Sequence, residues 1–320
     1  MIDEIKKLKK VELHLHLDGS VKIETACELA GVSIDDAKKE MVAQDKCHDL
    51  TEYLTKFDLP ISIMQTKDNL IRIAKDLVDY LEKENVIYAE VRFAPIFHTK
   101  EGLTVSEVIE AVMEGLSSNK QVKTNLILCM MRGMDKDTNL KVIESALEYL
   151  GKGVCAIDLA GDECKYPVSE YEELFEIAKL KNIPFTIHAG EAGDALEVKK
   201  AIEMGATRIG HGVHAIENES VLNFIKENNV LLEVCPTSNI QTDVAEEYKD
   251  HPIYQLYKKG VKVSINTDNA TVSNISISDE YMKLYENFDF SIDDFKAMNK
   301  NAVEGAFLNE DDKRELLKKL

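Results

Sequence analysis

Eight short apolar or β-branched runs recur along the chain, near residues 11–16, 86–92, 125–131, 154–159, 183–188, 207–211, 230–235 and 261–267. Between them lie stretches with helical periodicity, at 69–85, 104–119, 138–150, 169–182, 194–204, 217–228 and 252–259. Runs of this length read as strands, and strands alternating with helices can pair only in parallel, because each crossover returns the chain to the same end. Eight such units predict a (β/α)8 TIM barrel with its helices outside. Gly153 and Gly260, each just before an apolar run, fit helix ends that feed strands.

The first crossover departs from this rhythm. About 70 residues separate the first two strands, with helical patterns near 23–30, 34–46, 49–57 and 61–68. An insertion this long with its own secondary structure is expected to form a lid over the barrel mouth. The tail from residue 276 reads as extra C-terminal helices that pack on the barrel. With no internal repeat, low-complexity tract or Pro/Gly/Ser linker, residues 1–320 are expected to form one domain.

Charge narrows the partners. Lys and Arg number 39 against 58 Asp and Glu, a formal net charge of −19. Such a chain is expected to be soluble and to repel nucleic acid, anionic membranes and substrates carrying several phosphates. The six cysteines form no CxxC, and Cys129, Cys155 and Cys235 fall inside apolar runs, which suits a reducing cytoplasm. The start, MIDEIKKLKK, has no apolar signal core, and no run reaches the about 18 apolar residues of a membrane span.

Active sites of parallel barrels sit at the carboxyl ends of the strands. There the chain places His14 and His16 (VELHLH), His188 (IPFTIH) and Asp268 (VKVSINTD), while the opposite ends carry little besides turn residues. His14 and His16, two apart on a strand, project to one face together with Glu12. Three imidazoles and a carboxylate suit a borderline ion such as zinc, which makes water nucleophilic at neutral pH. A lone strand histidine is more often a hydrogen-bonded core or surface residue; the ordered set at strand ends favours ligation. Glu191, three residues after His188, is either a proton donor beside the metal or a carboxylate at a helix N-terminus. His211, flanked by glycines, either holds the attacking hydroxide or serves as base. Gly161 in DLAGDE either offers an open backbone N–H or makes a plain turn. His48, His98, His214 and His251 read as loop histidines. The H-x-E and P-C-x-x-C pattern of the cytidine-type deaminases is absent.

The segments ELHLHLDGS, AEVRFAP, DLAGDE, HAGE, IGHG, VCPTSN and NTDN, in that order from Val11 to about Tyr281, resemble the successive motifs of the adenosine deaminase family of amidohydrolase barrels. The resemblance implies zinc-dependent hydrolytic deamination of adenosine and 2′-deoxyadenosine to the inosine products and ammonia. It implies one zinc per chain, held by His14, His16, His188 and Asp268. It casts Glu191 as the acid that protonates purine N1 and His211 as the residue that orients the hydroxide attacking C6. Asp18 and His16 would then reach the ribose, and the Gly161 N–H would meet N3. Many members carry a second aspartate, on N7, where this chain has Asn269; an amide NH2 can donate to N7 without being protonated. The nearest competitors act on adenine or on a modified adenosine nucleotide. Asp18 in HLDG argues for the ribose, since adenine-specific siblings resemble HxHxEG, and no basic cluster stands ready for a phosphate. An amide-ring or ester hydrolase usually needs two metals and often a bridging lysine, and no lysine stands suitably at a strand end. A non-catalytic purine-binding barrel should have lost a ligand or the acid, and all are present.

Overall fold

The computed structural model describes residues 2–47 and 50–320. Among these residues eight strands follow the expected order: β1 (Lys10–His16), β2 (Val86–Phe93), β3 (Lys123–Met131), β4 (Val154–Ala160), β5 (Thr186–Ala189), β6 (Arg208–His211), β7 (Leu231–Val234) and β8 (Lys262–Ile265). They pair in parallel as two four-stranded sheets, β1 to β4 and β5 to β8. Single bridges close both seams, Ile157 to Phe185 and Leu15 to Asp268. At the second seam the His16 N–H donates to the Asp268 carbonyl at 2.7 Å, and the Asp268 N–H to the His14 carbonyl at 3.0 Å. The strands thus complete the expected ring.

Outer helices such as Lys67–Lys83, Val105–Leu116, Lys136–Tyr149 and Ala195–Glu203 start at Thr66, Thr104, Asp135 and Asp194, whose side chains accept the first free N–H groups. Each such cap is worth about 1 kcal/mol. The Gly260 φ of +80° ends the helix Ile253–Lys258 and turns the chain into β8. The first crossover forms the helices Ile23–Ala30, Ile34–Met41, Leu50–Leu54 and Asp58–Ile63. The tail forms Ile277–Asn287, Ile292–Gly305 and Glu310–Leu317. It seals the amino-terminal face: Val303 and Leu316 pack with Val11, Leu13 and Tyr88, and Asn299 Oδ1 accepts the Val11 N–H at 2.9 Å.

Those amino-terminal strand ends are not just turn residues, and the expectation fails there. Lys10, Glu12, Glu90 and Arg208 near those ends are fully buried: Lys10 donates to the Glu84 carbonyl at 2.9 Å, and Glu90 and Arg208 enter the barrel. Inside, Arg92 reaches Asp158 at 2.9 Å and Glu233 at 2.6 Å, while Arg208 reaches Glu233 at 2.6 Å and Glu90 at 2.5 Å. Charges removed from water persist only when paired, and here each carboxylate meets a guanidinium. Inward-facing charges look like surface charges in a one-dimensional sequence.

Candidate active site

The register of β1 against β2 shifts between Glu12 and Leu15, which breaks the alternation: His14 and His16 turn into the barrel, whereas Glu12, expected on their face, sits level with Ala89 on the opposite one. Glu12 accepts from the Thr267 N–H at 2.9 Å and from its hydroxyl, which ties the end of β8 to β1. Asp268 is not on β8 but three residues beyond it, where a φ of +62° swings the chain back. A left-handed conformation is costly for a non-glycine residue, and such strain collects at functional positions. His188, the third residue of β5, completes a quartet whose ligand atoms all lie within 4.8 Å of one another.

The spacing fits a small tetrahedral ion. His16 Nε2 lies 3.3 Å from His188 Nε2, and Asp268 Oδ1 lies 3.3 Å from His14 Nε2 and 3.4 Å from His16 Nε2. Ligands held at about 2.0–2.1 Å around zinc are separated by roughly 3.3–3.4 Å. His14 Nε2 is also buried without a hydrogen-bond partner, a loss that ligation would repair. Outer groups aim the ligands. Glu233 Oε2 meets His14 Nδ1 at 2.9 Å, and Asp268 Oδ2 accepts from Ser238 Oγ at 2.6 Å. Asp158 Oδ2 stands 2.9 Å from His188 Nδ1, close enough to attract it although off the axis of a hydrogen bond. Burial pushes the Asp158 and Asp268 carboxyls up, but the surrounding imidazoles, and Arg92 for Asp158, outweigh it and hold both below the usual range.

Glu191 does not cap a helix; that place belongs to Asp194, whose Oδ1 accepts from Leu196 and Glu197. Instead Glu191 Oε2 faces His211 Nε2 at 3.4 Å, and Oε1 lies 3.2 Å from Thr242 Oγ1. Burial, then the charge of Asp268, pushes its carboxyl up to about 8, so it is protonated at neutral pH. The loop carrying it is clamped by Glu163, whose carboxylate accepts four successive backbone N–H groups, Gly190 through Gly193. His211 ends β6 with a φ of +61°. Burial and the neighbouring His14 push its imidazole well below the usual range.

Above the quartet opens a cavity of about 230 Å³. It is lined by His16, Asp18, Gly161, His188, Glu191, His211, Asp268 and Asn269, and on the lid side by Leu50, Leu54, Phe57 and Ile61. All nine expected site positions are accounted for there except His14, which lies beneath it. Asp18 is buried, which pushes its carboxyl up to about 7. Gly161 has a φ of +104°, open to glycine and strained for other residues. Asn269 donates from Nδ2 to the Tyr53 hydroxyl at 3.1 Å, so one hydrogen of its amide already has a protein partner.

Two histidines expected in loops are core groups. His98 is fully buried with Nδ1 on the Met64 carbonyl at 3.1 Å, and His251 is buried against Asn239 at 3.2 Å. His214, paired with Glu217 at 2.8 Å, fits the loop reading, and His48 lies outside the described residues. Glu163, Glu233, Ser238 and Asn239 were not singled out as site residues. The motifs DLAGDE and VCPTSN contain three of them, and that clustering is the signal that could have found them.

A parallel barrel whose carboxyl-terminal rim carries three histidines, an aspartate and a protonated glutamate defines a hydrolase of the amidohydrolase-barrel class. The family model described as adenosine deaminase matches residues 9–320, and the chain belongs to the adenosine deaminase family. An adenosine deaminase from Clostridium perfringens is 43% identical over 97% of both chains. The solved N6-mAMP deaminase of Arabidopsis superposes with a TM-score of 0.88 at 26% identity, covering 98% of each chain. An amidohydrolase from Burkholderia with bound Zn shares the fold, with a TM-score of 0.89 at 21% identity over 98% of this chain and 90% of that one.

Proposed function

We propose that this chain hydrolyses adenosine and 2′-deoxyadenosine to inosine or 2′-deoxyinosine and ammonia, with one zinc held by His14, His16, His188 and Asp268. The observation that carries this reading is the facing of Glu191 and His211, 3.4 Å apart, on the wall of the cavity floored by the quartet. When bound, the metal supplies a Lewis acid that makes water nucleophilic at neutral pH. Glu191, protonated through burial, gives its proton to purine N1 and so draws electrons away from C6. Water contributes the new oxygen at C6, the C6–N bond breaks, ammonia leaves with one proton of that water, and the other proton restores Glu191. His211 aims the attacking oxygen. The Gly161 N–H holds N3, Asn269 reaches N7, and Asp18 with His16 holds the sugar. The lid side chains Leu50, Leu54, Phe57 and Ile61 exclude water.

The same lining separates nucleoside from nucleotide. Among the described residues it contains no Lys or Arg, while Asp18 and Asp58 both border it. A 5′-phosphate would meet acids without a counter-charge, so a modified adenosine nucleotide is a poor fit, and adenine would leave Asp18 without a partner. The test is a comparison of kcat/KM for adenosine, 2′-deoxyadenosine, adenine and AMP. Adenine or AMP turned over as well as adenosine would overturn the assignment. We further infer a single 320-residue domain working in a reducing cytoplasm. Cys129, Cys155 and Cys235 are buried as thiols, in accord with that compartment, and no described helix is long and apolar enough to cross a membrane.

A further inference from the structure

His211 is held from behind by a chain of hydrogen bonds whose direction starts at a backbone amide. The Ile253 N–H lies 3.1 Å from His251 Nδ1. A backbone N–H can only donate, so Nδ1 is the acceptor, and a neutral imidazole then carries its proton on Nε2. His251 is neutral because burial pushes it down to about 3. Its Nε2 lies 3.2 Å from Asn239 Oδ1, and on the other side of that amide Nδ2 lies 3.1 Å from His211 Nδ1. The amide cannot be reversed: Nδ2 would then face the Nε2–H of His251, two donors in contact. The three side chains are at most 1% exposed, so protein groups alone choose the partners.

We propose that Asn239 and His251 are positioning residues that fix His211 as the Nε2–H tautomer, making it a hydrogen-bond donor to the attacking oxygen and not a base. That His211 meets such an oxygen rests on the function proposed above; the tautomer does not. A protonated His211 is disfavoured by the same geometry, because Nδ1–H would point at the Asn239 NH2. The strained φ of +61° at His211 is consistent with a ring held in one orientation by its surroundings.

The test uses the full-length chain labelled with 15N-histidine, its His211 signals assigned by their loss in His211→Asn. Long-range 1H–15N correlation at neutral pH is expected to show Nε2–H for both His211 and His251. In Asn239→Asp the carboxylate accepts from both rings, so His211 should switch to Nδ1–H. A donor lost from the transition state costs about 10²- to 10³-fold in kcat, and KM for adenosine should move far less. His251→Gln keeps an N–H towards Asn239 and should keep both the tautomer and most of the activity. An Nδ1–H signal for His211 in the unaltered protein overturns the proposal, whether or not Asn239→Asp folds. So does wild-type kcat in a folded Asn239→Asp. An Nε2–H signal in a protein inert towards adenosine supports the relay and overturns the function instead.

Discussion

Glu163 holds Glu191 by its backbone, its Oε2 accepting the Glu191 N–H at 3.1 Å. The same carboxylate takes the N–H groups of Gly190 at 2.6 Å, Ala192 at 3.1 Å and Gly193 at 3.0 Å. One acid from the loop after β4 thus sets the place of another after β5. Four N–H groups converging on one anion leave little freedom to the loop, and a charged acceptor makes each bond stronger than a neutral one.

Glu163→Gln should therefore damage catalysis without emptying the metal site. Its NH2 would confront N–H donors, and loss of buried hydrogen bonds costs about 1–3 kcal/mol. The expected result is a fall in kcat of about 5- to 150-fold with zinc content unchanged. Metal analysis and steady-state kinetics on one preparation check it; an unchanged kcat contradicts it.

The acid itself gives a pH signature. Burial and Asp268 put the Glu191 carboxyl at about 8. The active form is protonated, so kcat should hold at neutral pH and fall as pH rises through about 8, a bound dication drawing that limb lower. Glu191→Gln should abolish the limb and lower kcat by at least about 10²-fold. A variant keeping a tenth of kcat would return Glu191 to a structural role.

Buried histidines should make the fold acid-sensitive. His98 is pushed down to about 4 by burial, from the ordinary 6.5. Between those values the unfolded chain binds a proton that the folded chain refuses. The stability this group contributes is present above about pH 6.5 and is lost as pH falls towards about 4. Replacing it by His98→Phe should remove about 2 kcal/mol from the difference in unfolding free energy between pH 7 and pH 5. Denaturant titrations at both values test this, and an identical pH dependence in the variant sinks it.

Asn269 tests the departure from the two-aspartate pattern. Its Oδ1 is buried without a hydrogen-bond partner and its Nδ2 meets Tyr53. Asn269→Ala should lower kcat/KM for adenosine by about 5- to 150-fold. With 7-deazaadenosine, which lacks the N7 acceptor, the same substitution should cost much less. Equal losses mean that the residue only braces Tyr53.

The barrel was legible because period and order are one-dimensional: apolar runs and helical stretches alternate along the chain, and His14, His16 and His188 stand at the carboxyl ends of such runs. Asp268 was legible as a member of the quartet but not as a turn residue, since its bridge to Leu15 and its positive φ belong to the closed barrel. The interior charges were not legible. Arg92, Arg208, Glu90 and Glu233 have ordinary neighbours in sequence and meet only when the sheet closes. The relay through His251 and Asn239 has the same cause, two residues 12 apart joined by a fold at the barrel rim to the histidine that ends β6.

The most direct measurement is turnover of adenosine by the purified chain with zinc determined on the same sample, beside His14→Ala. The expected result is about one zinc per chain, release of ammonia from adenosine, loss of both in the variant, and a retained fold by circular dichroism. Full activity in chelator, with no stoichiometric metal, would contradict it.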